Sequence, residues 1–292
     1  MDEIPSTVPS RTSTISLALL SLGLVLFGPA AHARELRVCA DPNNLPFSNE
    51  RGEGFENKIA ELIADKLGAT LSYTWWAQRR GFIRNTLNAG SCDLVTGTTN
   101  GIEMLRTTLP YYRSGYAFVT RRDGPQVSSL DDPILHKLRV GIQLVGEDGA
   151  NPPPSEALAR RGIVDNVRGY LVYGDYREPN PAAAIVDAVA KGEIDVAIVW
   201  GPVAGYFASR VSAPLKVTLV TPQNDGPRLP MVFDINMGVR KDEPALRDEV
   251  NAALMQLRPK IDAVLASYGV PRADLPVEGQ HAPTAGQLSS AP

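Results

Sequence analysis

Along most of the chain the hydrophobic positions switch between a period near two and a period near 3.6, and the switches predict alternating strands and helices. Leu36–Cys39 reads as a short strand, followed by a polar, Pro- and Gly-rich loop from Asp41 to Gly54. From Phe55 to Leu67 the apolar residues Ile59, Leu62, Ile63 and Leu67 fall on one helical face, and Gly68 ends the helix. Leu71–Trp76 alternates as a strand, Gly81–Leu87 predicts a helix with Phe82, Ile83 and Leu87 inward, and Asp93–Thr96 predicts another strand. Such alternation builds a mostly parallel sheet covered by helices.

Tyr116–Arg122 is a strand that leaves this first unit, and Asp123-Gly124-Pro125 with Asp131-Asp132-Pro133 marks a linker. The pattern then repeats, with strands at 138–142, 169–173, 194–199 and 215–220 and helices at 155–161, 181–191 and 202–209. Val232–Val239 returns as a strand, and two helices follow, Pro244–Leu257 and Ile261–Tyr268. Two similar units, one interrupting the other, predict a two-lobed α/β fold in which Tyr116–Arg122 and Val232–Arg240 cross between lobes as a hinge. The domain reading is a leader at 1–33, the first part of lobe 1 at 34–122, linker and lobe 2 at 123–231, the return to lobe 1 at 232–277, and a disordered tail at 278–292.

The leader decides the compartment. Arg11 precedes an uncharged apolar run from Ile15 to Phe27, which ends in Pro29 and Ala31-His32-Ala33. That is the layout of a secretory signal cleaved after Ala33, and the run falls short of the ~20 apolar residues that cross a bilayer. Cleavage delivers the chain to the periplasm with no membrane span. It also removes Asp2, Glu3 and Arg11, which moves the formal net charge from −3 to −2. A near-neutral chain lacks the basic face that a nucleic-acid partner requires. Both cysteines, Cys39 and Cys92, reach an oxidising compartment, where a disulfide is the natural reading and two buried thiols the alternative.

Ligands of open α/β sheets bind outside the carboxyl ends of the strands, so the loops after those strands should face a cleft between the lobes. Asp41, Asn44 and Phe47 are candidates from the first such loop, although turn chemistry also explains its composition. Trp75 and Trp76 alternate, which predicts one indole in the core and the other, Trp76, at the cleft with Gln78 and Arg79. Thr98 and Thr99 close the first side. On the second side stand Gln143, Gly146 and Asp148 in a Gly-containing loop before a helix, which suits an anionic group, then Asp175 and Trp200.

Catalysis and metal binding find few candidates. The three histidines are His32 in the leader, His136 in the linker and His281 in the tail, so neither a histidine-based triad nor a histidine metal site is predicted. No nucleophile elbow or calcium loop is present, and the adjacent acids Glu147 and Asp148 read as a solvated surface. The chain is expected to be no enzyme and to hold no metal or cofactor.

Five stretches carry a family resemblance: RVCADPNNLPFSNERGEGFENKIAELIADKLG (37–68), WWAQRRGFIRNTLNAGSCDLVTG (75–97), TTLPYYRSGYAFVTR (107–121), VGIQLVGEDGANPPPSEALARRGIVDNVRGYLVYGDY (140–176) and GEIDVAIVWGPVAGYFA (192–208). With them the chain resembles the quinoprotein-dehydrogenase-associated solute-binding proteins of the MxaJ/XoxJ type, within the type II solute-binding proteins of ABC importers. The resemblance implies a two-lobed periplasmic-binding-protein type II fold. It also implies an accessory role in the maturation or activation of a PQQ-dependent methanol or alcohol dehydrogenase, with its cytochrome c as a further partner. In the amino-acid binders of the broader class, a Thr-x-x-Arg stretch clamps the substrate carboxylate and an acid after a later strand takes the amine. Here Thr99-Asn-Gly-Ile102 and Trp200 stand at those places, so both charged anchors are absent. The alternative implied role is capture of a small non-amino-acid solute for import, of aromatic or anionic character given Trp76, Trp200 and Arg79.

Overall fold

A computed structural model describes residues 34–144, 151–173 and 175–274. The predicted leader and tail, with Gly146, Glu147 and Asp148, lie outside the described residues. The first half runs β1 (Arg34–Ala40), the short pair β2 (Asn43–Asn44) and β3 (Ser48–Asn49), α1 (Phe55–Lys66), β4 (Ala69–Trp75), α2 (Phe82–Asn85), β5 (Leu94–Thr99), β6 (Arg106–Thr107) and β7 (Tyr112–Arg121). The second runs β8 (Val140–Leu144), α3 (Pro153–Arg160), β9 (Val167–Leu171), α4 (Ala184–Ala190), β10 (Val196–Trp200), α5 (Gly201–Ala208) and β11 (Leu215–Leu219). The chain then returns through β12 (Val232–Val239) and α6 (Pro244–Ser267).

The strands lie in the order β4-β1-β5-β12-β7-β10-β8-β9. In each lobe three strands pair in parallel, β1 with β4 and β5, and β8 with β9 and β10, while β12 joins β5 antiparallel. Strand β7 joins the lobes by changing partner. Its residues Tyr112–Gly115 pair antiparallel with Val232–Ile235, whereas Tyr116–Thr120 pair antiparallel with Val196–Trp200. The crossing predicted from the sequence therefore falls between Gly115 and Tyr116.

Period-two alternation places the cores. Val196 and Ile198 pack on one face of the second sheet with Val140, Ile142 and Leu158, while Ala197 and Val199 pack on the other with Ile185, Val189 and Phe207. In the first lobe Ile59 and Ile63 of α1 meet Leu36 and Val38 of β1 and the buried face of α6 at Val250, Leu254, Ile261 and Leu265. Cys39 and Cys92 form the expected disulfide, with Cα atoms 5.5 Å apart, beside Phe82, Leu87 and Val95.

Three expectations are corrected. The two terminal helices are one helix, α6, that runs through Pro259. Pro259 lacks the N–H that would reach the Met255 carbonyl, but both residues are exposed, so water can serve that carbonyl. Buried Leu257, Ile261 and Leu265 hold the helix face on either side. The helix expected over Gly81–Leu87 is shorter, spanning Phe82–Asn85. Neither indole of the Trp75-Trp76 pair is in the core. Trp75 stacks on Tyr73 at 4.5 Å on the outer strand β4, and Trp76 is 48% exposed.

A carboxyl-floored aromatic cavity between the lobes

The ends of β1, β5 and β10 converge on a cavity of about 310 Å³. Its floor is Glu56, the second residue of α1. That side chain is 4% exposed, and its carboxylate accepts hydrogen bonds from the Thr96 hydroxyl at Oε2 (2.7 Å) and the Tyr111 hydroxyl at Oε1 (2.8 Å). The Tyr111 oxygen in turn accepts the Gly97 N–H at 3.1 Å. Burial pushes the carboxyl of Glu56 above the usual carboxylate range, against the two hydrogen bonds that lower it. Gly97 gives the carboxyl its room. At φ +67° it adopts a left-handed conformation, and a Cβ there would lie 2.7 Å from Oε1.

Another wall is aromatic. Trp200, at the end of β10, reaches the cavity with its ring centroid 5.4 Å from Tyr116 and 6.0 Å from Phe233, both edge-to-face. Its backbone N–H is held by the Gln143 side-chain carbonyl at 3.1 Å. Phe47 closes another side and meets Phe55 of α1 edge-on at 5.4 Å. Burial raises the Tyr116 hydroxyl well above its ordinary value, so it remains a neutral group. Among the described residues, no lysine, arginine or histidine lines this cavity.

A clasp between lobes forms one rim. Asp41 is buried at the end of β1. Its Oδ2 accepts the Gln78 N–H (2.6 Å) and the hydroxyl of Tyr176 from the other lobe (2.5 Å), and its Oδ1 accepts the Asn43 N–H (2.9 Å). The Asn43 amide donates across the same gap to the carbonyls of Tyr176 (3.3 Å) and Glu178 (3.1 Å). The Arg79 guanidinium lies over the Tyr176 ring at 4.6 Å and the Tyr173 ring at 5.5 Å. Burial, with the Asp41 carboxylate beside it, drives the Tyr176 hydroxyl far above its ordinary value and keeps it a donor.

Of the residues expected at the cleft, Asn44, Phe47, Gln78, Thr99 and Trp200 share the cavity, and Asp41 and Arg79 take part in the clasp. Thr98 is turned away: its hydroxyl donates to the Asn236 carbonyl (3.1 Å), and it borders an adjoining hollow of about 270 Å³ with Arg79, Ile102 and Met104. Gln143 and Asp175 border a third hollow against α4, where Asp175 is paired with Arg177. Trp76 does not line the cavity, and Gly146 and Asp148 are outside the described residues. Sequence reasoning missed Glu56. A signal for it existed, because Glu56 shares the α1 face of Ile59, Ala60 and Ile63 and is therefore an acid on an apolar stripe.

Residues 36–269 match the family model of bacterial extracellular solute-binding proteins, family 3. The chain belongs to that family. Among its family-3 relatives are Protein MoxJ of Paracoccus denitrificans, 34% identical over 85% of this chain and 93% of that protein, and Protein MoxJ of Methylorubrum extorquens, 35% identical over 82% of each. The crystal structure of periplasmic binding protein XoxJ from Methylobacterium extorquens AM1 superimposes with a TM-score of 0.67 at 37% identity, covering 81% of this chain and 98% of that one. The two-lobed arrangement is thus the periplasmic-binding-protein fold that the sequence resemblance implied. In this family-3 chain Ile102, at the expected arginine position, packs against the cluster of Cys39, Phe82 and Leu105. Among the described residues there is no cluster of three or more His, Cys, Asp or Glu able to hold a metal ion, and no helix is long and apolar enough to cross a membrane.

Proposed function

We propose that this protein is exported to the periplasm after cleavage at Ala33 and acts there, without catalysis, as a solute-binding-like accessory of a quinoprotein methanol or alcohol dehydrogenase. It works through protein contact during maturation or activation of that enzyme, with the associated cytochrome c as a second partner. Kinship with MoxJ and XoxJ supports this reading. The observation that carries it is the pair Ile102 and Trp200. An amino-acid receptor grips its zwitterion by two charges, and a buried charge left unpaired costs about 3–5 kcal/mol. Glu56 could meet an amine, but with no arginine among the described lining residues the cavity leaves an amino acid's carboxylate unpaired and does not retain amino acids.

Deletion of the gene, with complementation, tests the proposal. The expected result is loss of most quinoprotein dehydrogenase activity in periplasmic extract, together with co-purification of the dehydrogenase on the tagged mature protein. Unchanged activity and unchanged growth on methanol would overturn it. A second reading, a receptor for import of a small non-amino-acid solute, is favoured by the retained cavity and its polar floor. Native mass spectrometry of the protein taken from periplasm distinguishes the two, since an import receptor emerges with bound solute.

A further inference from the structure

Glu56 is used by nothing described so far. A carboxyl buried among aromatic rings is an unfavourable arrangement unless something compensates its charge. Two hydroxyls serve it, one on each oxygen, whereas a carboxylate offers about four acceptor sites. Among the described residues, no cationic side chain lines the cavity that Glu56 floors. Arg79, expected to attract an anion here, is instead engaged over Tyr176 and Tyr173. The room for the carboxyl depends on a left-handed Gly97, so the chain keeps the group in place at the cost of a restricted backbone position.

Lining the same cavity are the rings of Tyr116, Trp200 and Phe233, packed edge-to-face into one wall. Aromatic faces attract cations and do so more strongly where water is excluded. An acid floor and an aromatic wall, with no positive group among the described lining residues, complement a positive charge on an apolar body. They repel a carboxylate. We propose that this cavity binds a small organic cation that carries no carboxylate, an alkylated ammonium, with Glu56 as its counter-ion and Trp200 against its alkyl groups. Of the three residues behind the aromatic or anionic ligand expected from the sequence, Trp200 lines this cavity and Trp76 and Arg79 do not. The site is independent of the dehydrogenase partner: the cavity can hold such a cation whether or not the accessory reading stands.

Isothermal titration of the mature protein tests the site with choline chloride, its uncharged carbon isostere 3,3-dimethylbutan-1-ol, and glycine betaine, which adds a carboxylate. Choline is expected to bind at least about tenfold more tightly than either, the discrimination that one compensated charge supplies. Glu56→Gln keeps the side-chain length and is expected to weaken choline about tenfold while leaving the isostere unchanged. Trp200→Leu gives a second reading should Glu56→Gln fail to fold, with an expected loss of about fivefold for choline and little for the isostere. No binding of choline, equal binding of choline and the isostere, or choline affinity unaffected in both variants would each overturn the proposal. Dehydrogenase activity is not a readout of this experiment, so its failure is distinct from failure of the accessory role.

Discussion

In the first lobe Arg37 holds Asp93 by its Nε (3.0 Å), its NH2 (2.7 Å) and its backbone N–H (3.2 Å). In the second, Arg139 holds Asp195 through the same three groups at 3.1, 2.6 and 2.8 Å. Each pair is separated by 56 residues, and in each the aspartate N–H returns to the arginine carbonyl. The device pins the first parallel strand of a lobe to the entry of the strand beside it. What differs is the reinforcement. Asp93 also accepts from Arg240 on the returning segment (3.2 Å), Arg240 donates to the Cys92 carbonyl, and the Cys39–Cys92 disulfide ties the same two strands. Asp195 is supported by Arg139 alone among the described contacts and is the more exposed of the two, at 26% against 16%. The lobes share a frame, and the extra fastening lies in the lobe that positions Glu56, Asp41 and Gln78. The second lobe contributes Trp200 and the clasp residue Tyr176 on less heavily tied segments.

Three measurements bear on this asymmetry. The largest effect is expected from replacing both cysteines with serine. Closing a loop with a sequence separation of 53 residues stabilises by about 4 kcal/mol on the chain-entropy model, so chemical denaturation should show a loss of that order. A loss below about 1 kcal/mol would remove the disulfide from the comparison. Next, Asp93→Asn is expected to cost about 2 kcal/mol and Asp195→Asn about 1 kcal/mol at pH 7. Equal losses would mean that Arg240 adds nothing.

The pH dependence of that difference follows from the carboxyls. For Asp93, burial raises the affinity for protons, and the bonds from Arg37 and Arg240 more than offset it, so its pKa lies below the ordinary aspartate value. For Asp195 the bonds from Arg139 lead, with the same direction. A depressed folded-state pKa means stability that is present above the unfolded value of about 4 and lost as pH falls through the folded value. Both substitutions should therefore cost their full amount at neutral pH and progressively less below about pH 4. An effect level with that of Asp195→Asn belongs to Tyr176→Phe, which keeps the ring under Arg79 and removes the bond to Asp41. About 1 kcal/mol of thermal stability should be lost, with an increase in radius of gyration by solution scattering that the two aspartate variants do not show.

Much of the frame was readable because it rests on periodicity. The repeat is visible in Leu-Arg-Val at 36–38 and 138–140 and in an aspartate opening the strands at 93 and 195, and Val232–Val239 was placed with its observed bounds. Helix α6 was less readable, since a proline removes a local bond whatever the packing, and its continuation depends on distant partners of Leu257, Ile261 and Leu265. The cavity was half readable. Trp200 follows directly from the end of a parallel strand, whereas Trp76 depends on how an outer strand leaves the sheet, which alternation alone does not fix. Glu56 resembles an ordinary acid in the first turn of a helix, a common and favourable choice. What sets it apart is the coincidence with the apolar face and the approach of Thr96 and Tyr111 from 40 and 55 residues away.

The clasp at Asp41 has a kinetic consequence. It joins the lobes by a hydroxyl on a carboxylate, two amide bonds to carbonyls and a guanidinium over rings, all groups that water solvates well. Asp41 is buried, so water reaches these groups only as the contacts part, but it can then take the place of each of them, and separation there exposes little greasy surface. Entry to the space behind it would then be timed by exchange with water at this rim, and a mutation that replaced these groups with tightly packed hydrocarbon would slow admission even while strengthening closure.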